Sequence, residues 1–141
     1  MKKISIFLGL ITRIERLILR MEQRTGGSGN NLRVNTDVIR RVEKWILENR
    51  WNEDKSMQEV ARDMGISHEQ LSLYFRLFWG KAFLQWRKER RIEEAKRLLL
   101  EDRHTSSLFI AESVGIGDKS NFRRQFKEVA GCTPAEWRLK H

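Results

Sequence analysis

Only one cysteine, Cys132, and one proline, Pro134, occur in these 141 residues. A single thiol excludes an internal disulfide and fits a reducing, cytoplasmic setting, with Cys132 serving as small apolar filler. His68, His104 and His141 are scattered, so there is no zinc-ligand spacing, and neither a metal nor another cofactor is expected. A glycine-rich phosphate loop is missing, as is a paired nucleophile and base, which argues against an enzyme. The longest charge-free run near the start, "ISIFLGLIT", is about half of the ~20 residues that a membrane span needs. The basic "MKK" ahead of it imitates a signal peptide, but "RIERLILRMEQR" follows where a small-residue cleavage site belongs. Sustained period-two alternation is absent too, and strands with it.

Positive charge and helical periodicity fill the space these absences leave. Lys and Arg number 28 against 19 Asp and Glu, a formal +9 with a pI near 10.2. That imbalance suits a polyanionic partner, either nucleic acid or an anionic membrane surface. Hydrophobic residues make up 40% of the chain and include five Trp and seven Phe, enough for a packed core.

The segment "TGGSGNN", Thr25 to Asn31, has the composition of a flexible linker. It divides the chain into an N-terminal amphipathic helix over 1–24, a linker over 25–33 and a body over 34–141. In the first piece Ile4, Phe7, Ile11, Ile14, Ile18 and Met21 fall on a and d positions of three heptads. Three occupations are open to it: a homodimerising helix through residues 4–21, a helix packed on the body, and a basic helix lying on a membrane surface.

The body reads as all-α. Val38, Ile39, Val42, Trp45 and Ile46 mark a helix from about Thr36 to Asn49. Ser56 with Glu59, and Ser67 with Gln70, have the spacing of capping boxes that open the next two helices. A long helix follows from about Phe83 to Leu100, with Leu84, Ile92, Ala95 and Leu99 expected inward and Glu93 paired outward with Arg97. The pattern then begins again. Ser56, Val60, Ala61, Met64, Gly65 and Ile66 recur fifty residues on as Ser106, Ile110, Ala111, Val114, Gly115 and Ile116. At an offset of fifty-one, Leu71, Phe75, Gly80, Trp86 and Arg87 recur as Phe122, Phe126, Gly131, Trp137 and Arg138.

Each copy has the form of a helix-turn-helix, over about 56–79 and 106–130. The small Ala61 and Ala111 admit close helix approach, and Gly65 and Gly115 supply the positive φ of a tight turn. In the second copy Phe122, Phe126 and Val129 share one helix face, and Ser120, Arg124 and Lys127 lie opposite. The apolar face holds the helix to its own body, leaving the polar ridge free to enter a major groove of double-stranded DNA. There Arg124 and Asn121 suit guanine and adenine edges, and Lys119, Arg123 and Lys127 suit phosphate. The first copy exposes Glu69, Ser72, Leu73 and Arg76, a surface for weak or apolar base contact or for a protein partner. The connecting helix, about 27 Å long, is of the right size to set two such ridges near one DNA turn apart. The alternative is a protein-interaction module built on degenerate helix-turn-helix units, only the second of which contacts DNA.

From about Asp37 to Arg138 the sequence resembles the DNA-binding domain of the AraC/XylS family of transcription regulators. The most specific piece is "GIGDKSNFRRQFKEVAGCTPAEWR", similar to the family's Gly-aromatic, Phe-x-x-x-Phe-Lys, Gly-x-x-Pro and aromatic-Arg pattern, and "RIEEAKRLLLE" resembles its linker helix. The resemblance implies base or phosphate contacts from Glu69, Ser72 and Leu73 in the first reader and from Lys119, Ser120, Asn121 and Arg124 in the second. It also implies action at promoters, with RNA polymerase as a partner, as activator or repressor. Three positions depart from the pattern: Ile116 stands where an aromatic is usual, and Leu73 and Leu77 where basic residues are frequent.

Overall fold

The structure is a computed structural model that describes Arg16 and residues 34–141. The expected N-terminal helix over 1–24, apart from Arg16, and the linker over 25–33 lie outside the described residues. Among the described residues no helix is long and apolar enough to cross a membrane.

Seven α-helices and one 3₁₀ turn make up residues 34–141: α1 (Thr36–Leu47), the turn (Arg50–Asn52), α2 (Met57–Met64), α3 (His68–Trp79), α4 (Phe83–Glu101), α5 (Ser107–Ser113), α6 (Lys119–Ala130) and α7 (Pro134–Lys140). Helix α1 stops two residues short of the expected end, because Asn49 enters the left-handed region at φ 55° and the 3₁₀ turn follows. Both capping boxes form as the spacing requires: Ser56 and Ser67 accept from the backbone N–H groups of Glu59 and Gln70, whose side chains accept in return from the two serine N–H groups. In the second copy Ser106 caps α5 by accepting from Phe109 N–H alone, since Phe109 has no acceptor to return.

Two cores form, one per repeat. The first gathers Val38, Ile39, Val42 and Trp45 of α1 with Trp51, Val60, Leu71 and Phe75, closed by Phe83 and Trp86 at the start of α4. The second gathers Ile92, Ala95 and Leu99 of the same α4 with Ile110, Ala111, Val114, Ile116, Phe122 and Phe126. The repeat extends to ring contacts. Phe75 meets Trp86 at 4.9 Å, and the residues equivalent to them, Phe126 and Trp137, meet at 6.3 Å.

Helix α4 therefore serves both units, and its sequence shows how. At 100° per residue, Phe83 and Trp86 lie on nearly the opposite side of the helix from Ile92, Ala95 and Leu99. The N-terminal half buries one side in the first core, and the C-terminal half buries the other in the second. This overturns one expectation: Leu84, on the same side as Ile92, is 54% exposed because it lies more than two turns before the second core begins. The expected Glu93–Arg97 pair also gives way, to Lys96–Glu93 at 2.8 Å and Arg97–Glu94 at 2.5 Å, with Glu101 as a second partner of Arg97. Both are i,i+3 pairs, one turn apart like the expected i,i+4 pair.

Candidate nucleic-acid interface

The expected second reader is α6. Its N-cap Asp118 accepts from Ser120 N–H at 2.8 Å, and Gly131 ends it at φ 80°. Phe122 and Phe126 are fully buried, each contributing about 1.5–3 kcal/mol relative to an exposed ring. That anchorage fixes which side faces out. Ser120, Arg124 and Lys127 are exposed on it, as the periodicity requires, and Lys119 and Arg123 are exposed on its flank.

Asn121 differs from its neighbours. It is half-buried, and its Oδ1 accepts from Arg124 Nη2 at 2.5 Å and from Gln125 Nε2 at 3.1 Å. Arg124 keeps 67% of its side chain exposed but leans along its own helix, with Nη1 3.7 Å from Glu128 Oε1. The guanidinium is held between an amide and a carboxylate one turn to either side, so a nucleobase edge would compete with both for its donors.

Sequence reasoning missed the flank of this helix next to the ridge. Between α4 and α6 runs a cleft of about 270 Å³ lined by Leu84, Gln85, Arg87, Lys88, Arg91, Arg124, Gln125 and Glu128. Lys88 crosses it to Glu128 at 3.0 Å, tying the linker helix to the reader. Four cations share the cleft with one carboxylate, a positive seam beside the polar ridge. Lys88 falls on the Ile92 side of α4, one turn earlier, and that spacing was the available signal.

The expected first reader is α3. Glu69, Ser72, Leu73 and Arg76 come together as read from the sequence, and with His68 they line a shallow surface hollow of about 370 Å³. Glu69 and Arg76 are exposed, whereas Ser72 and Leu73 are half-buried. His68 was missed, although it sits one turn ahead of Ser72 on the same face. Leu77, next along the helix from Arg76, is 54% exposed.

Beneath the readers the two units touch. The 3₁₀ turn of the first lies against the α5–α6 turn of the second: a Cβ on Gly115, whose φ is 84°, would fall 2.4 Å from Asn52 O. Arg91 of α4 reaches into the same place and donates from Nε to Trp51 O at 2.8 Å and from Nη2 to Glu53 O at 2.7 Å. Burial, and Arg87 one turn earlier, pull its pKa down to about 10, with Asp54 opposing. It remains a cation at neutral pH. Arg50 and Lys55 brace the turn by bonding Glu53 at 2.7 and 2.9 Å, and Lys55 also bonds Asp63 at 2.6 Å. Among the described residues no group of three or more His, Cys, Asp or Glu could hold a metal ion.

Known proteins share this arrangement. Residues 60–140 match the helix-turn-helix domain family. The chain is 30% identical over 128 residues to the arabinose operon regulatory protein of Escherichia coli, an alignment covering 91% of this chain and 43% of that one. It thus spans less than half the length of that curated relative. Among solved structures it resembles the C-terminal domain of AraT, a response regulator from Geobacillus stearothermophilus, with 27% identity, a TM-score of 0.67 and coverage of 77% of this chain and 88% of that one. It also resembles the DNA-binding domain of AdpA, a global transcriptional factor in complex with a target DNA, with 27% identity, a TM-score of 0.64 and coverage of 75% and 93%. With a match over more than half its length and two helix-turn-helix units on a shared linker helix, the chain belongs to the AraC-type helix-turn-helix family of transcription regulators.

Proposed function

We propose that this chain is a sequence-specific, double-stranded-DNA-binding transcription regulator that lays α3 and α6 into successive major grooves of a promoter site. One observation carries the reading: α6 is anchored by two fully buried phenylalanines and turns Lys119, Ser120, Arg123, Arg124 and Lys127 outward. Arg124 reads a base edge, Asn121 shares its donors or a base of its own, and Lys119, Arg123 and Lys127 hold phosphate. In the first reader Ser72 and Leu73 offer a hydroxyl and a methyl-sized apolar contact to base edges, with Glu69 and Arg76 at the rim. The AdpA domain, similar in fold and solved with DNA, supports the assignment. Such a role belongs in the cytoplasm, with RNA polymerase as the further partner at a promoter. The heptad pattern over residues 4–21 supports a homodimer through that segment, with a membrane surface as its other candidate partner.

Selection of bound duplexes from a random pool identifies the cognate site, and Arg124→Ala then tests the reading. The substitution costs about 1–3 kcal/mol on that site and little on random DNA if Arg124 reads a base. Equal losses on both reassign it to phosphate, and failure to enrich any duplex overturns the function.

The exposed Leu77 on the first reader favours a second reading, a protein-interaction module in which only α6 touches DNA. Substituting Ser72 and Leu73 by alanine separates the two: unchanged affinity for the selected duplex supports the module.

A further inference from the structure

We propose that Arg91 is a positioning residue for DNA reading: by tying the linker helix, just before it enters the second core, to the 3₁₀ turn of the first unit, where that turn packs against Gly115 of the second, it fixes the separation at which the two readers meet DNA. The inference rests on the two-reader function proposed above and adds what sets the spacing.

Three consecutive carbonyls carry it. Arg91 donates to Trp51 O and to Glu53 O, and the carbonyl between them, that of Asn52, lies against Gly115 so closely that a Cβ there would be 2.4 Å from its oxygen and 2.8 Å from its carbon. An added Cβ on Gly115 would also lie 3.0 Å from Arg91 Nη2, so guanidinium, turn and glycine meet at one point. Arg91 is 7% exposed, and its position on α4 lies between the two apolar stripes, on the flank where both units are within reach. A helix joining two domains transmits orientation only as well as its ends are fixed. Here a charged side chain from its middle is bonded to one unit, and the next residue, Ile92, is buried in the core of the other.

The charge is an expensive choice for a merely structural bolt. A buried cation with no salt bridge among the described residues, only the pull of Asp54 through space, depends on its hydrogen bonds to carbonyl oxygens, and breaking them leaves both the cation and the acceptors unsatisfied. Slippage of the turn past Gly115 therefore exposes or strands several polar groups at once. The junction accordingly has one favoured register rather than a range of them.

The test uses the full chain and the duplex that it enriches from a random pool, re-synthesised with one and two base pairs inserted between the two contacted patches. The wild type loses about tenfold or more in affinity on insertion, as when a reader is thrown off its bases. Arg91→Met, which keeps the apolar stem, binds the original duplex and tolerates the insertion to within about threefold. A variant that folds yet keeps the wild-type penalty overturns the proposal, and so does a wild type that accepts the inserted duplexes equally well. Stability loss alone would weaken binding to every duplex without changing their ratio.

A second measurement needs no DNA and no methionine variant. Spin labels on Gln58→Cys and Glu112→Cys, exposed positions of α2 and α5, report the distance between the units; Cys132 is buried and out of reach of the label. A single narrow distance distribution, broadened by Arg91→Lys, is expected. A broad distribution in the otherwise wild-type chain, or an unchanged narrow one in Arg91→Lys, overturns the proposal. If no duplex is enriched, the DNA reading fails while the distance result still decides the coupling.

Discussion

Arg87 and Arg138, fifty-one residues apart, hold the same post in the two halves of the molecule. Arg87 Nη1 donates to Lys55 O at 2.6 Å, and Arg138 Nη2 donates to Thr105 O at 2.7 Å. Each acceptor is the residue just before an N-cap serine, Ser56 or Ser106. In both units an arginine from the helix after the reader clasps the start of the helix before it, closing the helix-turn-helix into a ring. Arg138 also donates to Leu99 O and Asp102 O, so it staples α7 to the end of the linker helix.

Removing the second clasp should be costly. Hydrogen bonds from a charged donor contribute about 1.5–3 kcal/mol, and three carbonyls lose their partner at once. Arg138→Ala is expected to lower unfolding free energy by about 2–3 kcal/mol in urea titration, with Arg138→Lys recovering part of the loss because one ammonium cannot span all three acceptors. An alanine variant as stable as wild type would show that solvent satisfies these carbonyls equally well.

Two glycines with nearly equal φ offer a contrast in what surrounds them. Gly131, at φ 80°, has nothing within 4 Å of an added Cβ, whereas Gly115, at 84°, would push one against Asn52 O. Gly131→Ala therefore carries only the left-handed backbone term, about 1–2 kcal/mol. Gly115→Ala should cost about 1–3 kcal/mol more, since the obstructing atom is backbone and cannot rotate away. Thermal or urea melts of the two variants measure the difference directly, and equal costs would mean that the two units are free to separate.

Much of this was legible in the chain because it is repeated. Ser56, Ala61 and Gly65 matched with Ser106, Ala111 and Gly115 disclosed two like units, and the Phe122–Phe126 spacing disclosed which side of α6 faces out. Leu84 was misread for a definite reason. Periodicity places it on the stripe of Ile92, Ala95 and Leu99, but a stripe says nothing about how far along the helix a neighbour extends, and at that end the covered side is the opposite one, with Phe83 and Trp86. Arg91 was invisible for a related reason. In the run "RKERRIEE" it is one cation among four, and only the three-dimensional approach of Trp51 O and Glu53 O distinguishes it from the half-buried Arg87, Lys88 and Arg90. Helix α7 was left out of the reading because its seven residues are too few for periodicity, although Thr133 and Pro134 signal its start.

Acid should loosen the fold through carboxylates that serve as acceptors. Hydrogen bonds from Arg50 and then Lys55 hold Glu53 below the usual carboxylate range, and the N–H and hydroxyl of Ser56 do the same for Glu59. Lys81 and Gln85 lower Glu89, and the backbone N–H of His104 lowers Asp102. A pKa lower in the folded chain than in the unfolded one means that the unfolded chain binds protons first. The stabilisation is complete above the unfolded value, about 4.3 for Glu, and is lost as pH falls through the lowered folded values. Urea midpoints should be flat from about pH 7 to 5.5 and decline below that, and Glu53→Gln should flatten the decline. A decline that Glu53→Gln leaves unchanged would assign acid sensitivity to other carboxylates.

Glu128 is the residue whose loss should improve binding. It draws Lys88 across the cleft at 3.0 Å and stands 3.7 Å from Arg124, so one carboxylate occupies two cations beside the proposed reading face. DNA must either displace these contacts or forgo the cations. Glu128→Gln keeps the side chain's shape and helix preference but removes the charge, leaving Lys88 and Arg124 available to phosphate or base. Affinity for random duplex at low salt should rise, and the slope of log affinity against log salt should steepen by about 0.9 for each cation that gains a phosphate. Fluorescence anisotropy at several salt concentrations measures both quantities. A higher affinity with an unchanged slope would mean that the gain comes from relief of carboxylate–phosphate repulsion rather than from new contacts, and an unchanged affinity would place the cleft off the DNA path.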